Sequence, residues 1–199
     1  MLVIGLTGGI ASGKSAVAAA LARRGAVVFD ADRMGHRVLE EPEVREQLLA
    51  RWGREILAPD GQIARPAVAA RVFGDTPAAA NELQFLEQTL HPRIRAAIEA
   101  EIRILPDDAV PAVVIDAPLL IESGWNAVCQ AILYVDAPRE IRLQRAKGRG
   151  WSAEEFSRRE AAQMPIEEKR RRSTYVIYNA GTLAELEAEV DRFWVSVVA

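Results

Sequence analysis

The 199-residue sequence predicts an α/β fold of three layers, with helices on both faces of a parallel sheet of about five strands. Three observations predict it. Five short runs rich in Val, Ile and Leu have the length of buried strands, helical patterns separate most of them, and the stretch GGIASGKS joins the first run to the first helix.

The strands are expected at Leu2 to Leu6, Val27 to Phe29, Val113 to Ile115, Ala131 to Val135 and Thr174 to Tyr178. Helical patterns cover Lys14 to Arg24, several segments between Glu43 and Leu105, then Arg139 to Lys147, Ala153 to Gln163 and Leu183 to Trp194. Strands that alternate with helices need crossover connections, hence a parallel sheet covered on both sides. The interval from Asp30 to Pro111 is too long for one crossover. It holds Pro-Asp-Gly at Pro59 to Gly61 and prolines at Pro42, Pro66, Pro77 and Pro92, and reads as a helical insertion. A smaller, arginine-rich helical insertion separates the fourth and fifth strands. The expected division is a core of residues 1–31, 109–138 and 173–199, an insertion at about 32–108 and a small helical lid at about 139–172.

Half the residues are hydrophobic, yet no apolar run approaches the roughly 18 residues that a membrane-spanning helix needs. Leu2 to Leu6 are too few for a signal peptide and run directly into glycine. Cys129 is the single cysteine, so no intrachain disulfide forms, which suits a reducing compartment. A cytoplasmic chain, a monomer with no membrane partner, is the expectation. A net charge of -3 argues against a general nucleic-acid binder. Local charge differs: 11 of the 25 basic residues fall between Arg139 and Arg172, against six acidic ones. That segment is either a solvated helical face or a site for a small anion.

GGIASGKS, Gly8 to Ser15, has the spacing GxxxxGK[ST] between an apolar strand and a helix. Such a turn uncovers backbone N–H groups, and the helix starting near Lys14 adds the positive end of its dipole. Gly8 and Gly13 take angles that a Cβ obstructs and let phosphate oxygens approach the main chain. Lys14 reaches the β and γ phosphates, and the Ser15 hydroxyl holds Mg²⁺ between them. This is the loop of a P-loop NTPase, and it grips a nucleotide triphosphate. With three lysines against 22 arginines, a lysine at this point does not come from a lysine-rich background.

Asp30 and Asp32 sit at or just past the end of the second strand, the edge where open α/β sheets bind ligands. Strand alternation would point both the same way. One could take the proton of an acceptor hydroxyl; equally, both could cap the next helix. Asp116, after the third strand, is either a Mg²⁺-associated carboxylate acting through water or a helix cap. Arg142, Arg145 and Arg149, spaced by three and four, would share one helical face, and an arginine-bearing flap closing over the nucleotide would exclude water. His91 reads as a packing or capping residue at a His-Pro helix boundary, and His36 as a surface residue. Trp52, Trp125 and Trp194 are expected in the core, with Trp151 bordering the flap.

Taken together, LTGGIASGKS, DAD at Asp30 to Asp32, WGREIL, PDGQIARPAVAARVF, LHP at Leu90 to Pro92, APLLIESG, RLQR with Arg149, REAAQ and VIYNAG resemble the dephospho-coenzyme A kinase family nearly end to end. The run DGQIARPAVAARVF followed by LHP is the distinctive part. The resemblance implies a P-loop kinase with a helical coenzyme A insertion and a lid, which transfers the γ-phosphoryl group of ATP to the 3′-hydroxyl of dephospho-coenzyme A with Mg²⁺. It implies ATP-binding residues Gly9, Ile10, Ala11, Ser12, Gly13, Lys14, Ser15 and Ala16, with Arg145, Arg149 and Asn179. It makes Asp32 the base, with Lys14 and Arg145 also catalytic, Ser15 and Asp116 the metal side, and Asp32, His91, Leu119 and Glu122 the acceptor side. Three positions depart from the family: Ser173 and Thr174 replace an Ala-Asp pair, and Ala16 replaces a common Thr. Another small-molecule P-loop kinase is the first rival. A GTP-dependent switch is a second, weakened by the absence of an NKxD segment, and a nucleotide-binding module without chemistry is a third.

Overall fold

A computed structural model describes residues 1–74, 76–106 and 109–198. The expected insertion boundary at residue 108 and the last residue, 199, lie outside these. The chain forms two compact units, Met1–Asp30 with Ile104–Ala199, and Ala31–Arg103.

The first unit holds a five-stranded, all-parallel sheet. Its strands are β1 (Leu2–Gly8), β2 (Val27–Asp30), β3 (Ala112–Asp116), β4 (Ala131–Asp136) and β5 (Tyr175–Tyr178), in the order β2-β3-β1-β4-β5. All five expected strands are present. β1 is central, with Leu6 in register with Asp116 on one side and Leu133 on the other. The order reverses about β1, and α/β sheets bind ligands at such a switch point, beyond the strands' carboxyl ends.

Period-2 alternation sends Ile4, Leu6, Val114, Leu133, Val135 and Ile177 to one face. There they pack with Val17 and Leu21 of α1 (Lys14–Arg23) and with Leu186, Val190 and Phe193 of the C-terminal helix, Leu183–Val198. Full burial of each such side chain contributes about 1.5–3 kcal/mol. On the other face β1 meets the 3-10 turn Trp125–Val128 and the helix Ile166–Arg171.

In the second unit α2 (Ala31–Leu39) and α3 (Pro42–Trp52) are followed by a 3-10 turn at Arg54–Ile56, α4 (Arg65–Val72) and α5 (Pro77–Arg103). The Pro-Asp-Gly stretch makes a tight reversal, in which Asp60 Oδ1 accepts from Gln62 N at 3.0 Å and Leu57 bridges Ile63. Trp52 is buried, donates from Nε1 to Glu82 at 2.7 Å and meets Phe85 edge-on at 5.5 Å. Arg51 binds the same Glu82 carboxylate with both Nε and Nη2, and these bonds, with the one from Trp52, hold its carboxyl below the usual carboxylate range.

Two expectations are corrected here. α2 begins at Ala31, so the strand ends at Asp30 and its alternation does not reach Asp32. His91 and Pro92 do not mark a helix boundary: α5 runs through them for 27 residues. Proline removes a single donor, the one that would reach the Gln88 carbonyl, and the flanking turns keep the helix continuous.

The arginine-rich segment between β4 and β5 contains α6 (Arg139–Lys147), α7 (Ala153–Ala161) and α8 (Ile166–Arg171); the C-terminal helix is α9. α7 starts where Ser152 accepts from Glu155 N at 3.1 Å, as N-cap serines do. At α9, Thr182 and Glu185 bond reciprocally, Glu185 N to Thr182 Oγ1 and Thr182 N to Glu185 Oε2.

Candidate active site

The glycine loop leaves β1 at the centre of the sheet. Gly8 lies against the chain: a Cβ there would sit 2.7 Å from Ser12 Oγ and 2.8 Å from the Val135 carbonyl. Ala11 is left-handed at φ 57 and Gly13 at φ 96. Ala11 is the only non-glycine residue with positive φ among those described, a conformation that costs an L-residue about 1–2 kcal/mol. Left-handed residues in such a turn aim successive N–H groups inward, as anion-binding nests require.

Gly13 then caps α1, which starts at Lys14 as expected. A Cβ on Gly13 would collide with the Asn179 amide. That amide is buried and donates from Nδ2 to the Ser12 carbonyl at 2.8 Å, while Arg145 Nη1 donates to the same carbonyl at 3.0 Å. Arg145 Nη2 in turn donates to the Asn179 carbonyl at 3.1 Å. Arg145 and Asn179 therefore brace the loop's main chain between α6 and the end of β5. Burial, and then the nearby Arg149 charge, lower the Arg145 pKa from the usual arginine value.

Lys14 forms an ion pair with Asp116 at the end of β3. Asp116 is in register with Asp30 at the end of β2, so two carboxylates share the carboxyl edge beside the loop. Ser15 is exposed on the first turn of α1. Among the described residues no three His, Cys, Asp or Glu side chains cluster as a metal site. Mg²⁺ does not need one, since it binds through one or two protein oxygens with waters and phosphates. The hydroxyl of Ser15 and the carboxylate of Asp116 are hard oxygen donors of that kind.

The arginines do not form the expected single face. α6 ends at Lys147 ahead of Gly148 and Gly150, so Arg149 lies past the helix and is exposed. Arg142 is buried: it pairs with Glu160 at 2.6 Å and donates to the Ala137 carbonyl at 3.0 Å. Burial pushes the Glu160 carboxyl up, but the bonds from Arg142 and Arg139 outweigh it and leave its pKa lowered. Gly9 and Ile10 face Arg139, Arg142, Glu160 and residues 163–166 across a cavity of about 280 Å³.

Leu119 is 41% exposed in the turn after β3. Glu122, in the same turn, accepts from Met164 N at 3.0 Å and pairs with Lys169 at 2.9 Å. In the other unit Asp32 lies in the first turn of α2 and is exposed, His91 is half-buried within α5, and His36 is exposed beside Arg65. Trp52 and Trp125 are buried, and Trp194 packs part-buried against the sheet core. Trp151 carries Arg159 over its ring at 4.2 Å. Thr174 pairs with β4: its N donates to the Ile132 carbonyl, and its hydroxyl accepts from Ile132 N at 3.1 Å. Lys169, fully buried, went unmarked in the sequence. Its partners Pro118 and Glu122 lie far back in the chain, and only its rarity as one of three lysines pointed to it.

A central strand that delivers a glycine-rich loop, with a lysine opening the next helix and a carboxylate on the adjacent strand end, defines a P-loop phosphotransferase. The dephospho-CoA kinase family model matches residues 2–185, and the chain belongs to that family. The dephospho-CoA kinase of Anaeromyxobacter dehalogenans is 42% identical over 194 residues, 96% of this chain and 90% of the relative. The crystal structure of TT1252 from Thermus thermophilus superposes with a TM-score of 0.85 at 38% identity, covering 100% of this chain and 98% of that one. Dephospho-CoA kinase from Campylobacter jejuni gives 0.72 at 26% identity, with 98% and 96% covered.

Proposed function

We propose that this protein is a dephospho-CoA kinase, moving the γ-phosphoryl group of ATP to the 3′-hydroxyl of dephospho-CoA and releasing CoA and ADP. The observation that carries this reading is the extent of the family match, which spans the Ala31–Arg103 unit as well as the nucleotide loop. A P-loop alone is shared by kinases of many acceptors.

In this reading the loop from Gly9 to Ala16 wraps the triphosphate, and Lys14 exchanges its Asp116 partner for the β and γ phosphates. The acceptor oxygen forms a bond to the γ-phosphorus as the bond to the β–γ bridging oxygen breaks. Asp32 takes the acceptor's proton. His91, Leu119 and Glu122 belong to the acceptor side, the last through the turn that it anchors. Arg145 and Arg149 offset charge near the nucleotide, and Arg145 with Asn179 also holds the loop in its binding shape. Mg²⁺, held by Ser15 and by Asp116 through water, would neutralise phosphate charge when bound. The insertion, about residues 32–108, carries the CoA side, and residues 139–172 act as the lid over a core of the remaining segments.

The same reading puts the protein in the cytoplasm as a monomer whose partners are the two small substrates. No described helix is long and apolar enough to cross a membrane. Burial raises the Cys129 thiol to about 11, which suits a packing cysteine rather than a redox one.

A panel assay tests the proposal. With ATP and Mg²⁺, ADP formation is expected to depend on dephospho-CoA and to stay at background with adenosine, nucleoside monophosphates or shikimate. Turnover with one of those acceptors and none with dephospho-CoA would refute it.

A further inference from the structure

The least explained group in the first unit is the Lys169 ammonium, completely buried in α8. Its three protons are all committed, to the Pro118 carbonyl at 2.7 Å, Glu122 Oε1 at 2.9 Å and Gln163 Oε1 at 3.2 Å. Burial lowers its pKa from the usual lysine value, and Glu122 opposes that.

These partners come from separate segments. Pro118 follows Asp116 by two residues, and its carbonyl also accepts from Thr7 Oγ1 at 3.3 Å, just ahead of the glycine loop. Glu122 additionally accepts from Met164 N, so the same carboxylate holds residues 163–164. Gln163 to Ile166 form the wall of the cavity facing Gly9 and Ile10. The ammonium thus joins the exit of β3, the exit of β1 and the far wall of the phosphate-side cavity at one point.

A buried ion pair is a poor device for stability alone, because well-packed apolar side chains commonly serve as well or better. With no proton left to offer a ligand, Lys169 does not act on substrate directly. We infer that Lys169 is a positioning residue of the transfer reaction, its buried ammonium locking the turn after Asp116 and the 163–166 wall into a fixed relation with the glycine loop. This rests on the kinase reading for its kinetic part only.

The test uses Lys169→Met, which keeps length and loses charge, with Glu122→Gln beside it. In ligand-free protein, hydrogen exchange is expected to rise in peptides covering 118–123 and 163–166 and to stay unchanged in α3. Turnover with ATP and dephospho-CoA is expected to fall roughly 10- to 100-fold, as small misplacements of a reacting site do. The KM for ATP is expected to stay within about threefold, the sign of an interaction felt mainly in the transition state. The double variant should lose no more than Lys169→Met alone, since both changes break one unit. Turnover of Lys169→Met within about twofold of the parent, or unchanged exchange in both segments, would overturn the inference. If Lys169→Met does not fold, Glu122→Gln decides it by exchange, because Glu122 also serves the acceptor side: raised exchange in both segments supports the lock, and unchanged exchange overturns it. A parent protein inactive on dephospho-CoA would sink the kinase reading, and the exchange data would still decide whether Lys169 locks the two segments.

Discussion

Replacing Lys14 by alanine is expected to cut turnover roughly 10²- to 10³-fold, the loss seen when one preorganised charge or donor at a transition state is removed. The ammonium opens α1, at the positive end of the helix and beside the loop that Gly13 turns with φ 96. As the γ-phosphoryl group transfers, negative charge moves onto the bridging oxygen, and Lys14 is the side chain of the loop that can offset it. The substitution also removes the Lys14–Asp116 ion pair. ADP formation at saturating ATP, compared with the parent, reads the effect. Near-parental turnover would show that the loop's lysine takes no part in transfer.

Asp32→Asn is expected to leave ATP affinity close to that of the parent and to lower turnover roughly 10²- to 10⁴-fold, the range for loss of a positioned general base. The amide keeps the shape of the side chain and its place in the first turn of α2, but cannot accept the acceptor's proton. A titration of nucleotide binding separates the two effects, because loss of affinity alone would point to a structural role. Unchanged turnover in Asp32→Asn would remove it as the base and leave the acceptor's proton to another group.

The sheet was readable because β1, β3 and β4 are buried nearly throughout, and such strands are continuous Val, Ile and Leu runs. The loop was readable because its motif is local: the glycines, Lys14 and Ser15 fall at a fixed spacing between a strand and a helix, although its braces, Arg145 and Asn179, lie far along the chain. α2 escaped because ADRMGHRVL is polar, with Gly35 at its centre, and only Met34, Val38 and Leu39 are buried. α8 is six residues long and mostly charged, too short for a helical period to register. The proline at position 92 suggested a boundary that the neighbouring turns of α5 override. Arg142 and Arg145 look alike in sequence, yet one is a buried strut on Glu160 and the other braces Ser12. Such assignments depend on what the sheet brings together: Asn179 meets Ser12 across 167 residues, and Lys169 meets Pro118 across 51.

Label transfer from ATP carrying radioactive γ-phosphate most directly tests whether this loop hands its terminal phosphoryl group to a bound hydroxyl. With Mg²⁺ and dephospho-CoA the label is expected on the ribose 3′ position of CoA, with little free phosphate. Label released only as inorganic phosphate, or recovered on another acceptor while dephospho-CoA stays unmodified, would contradict the account.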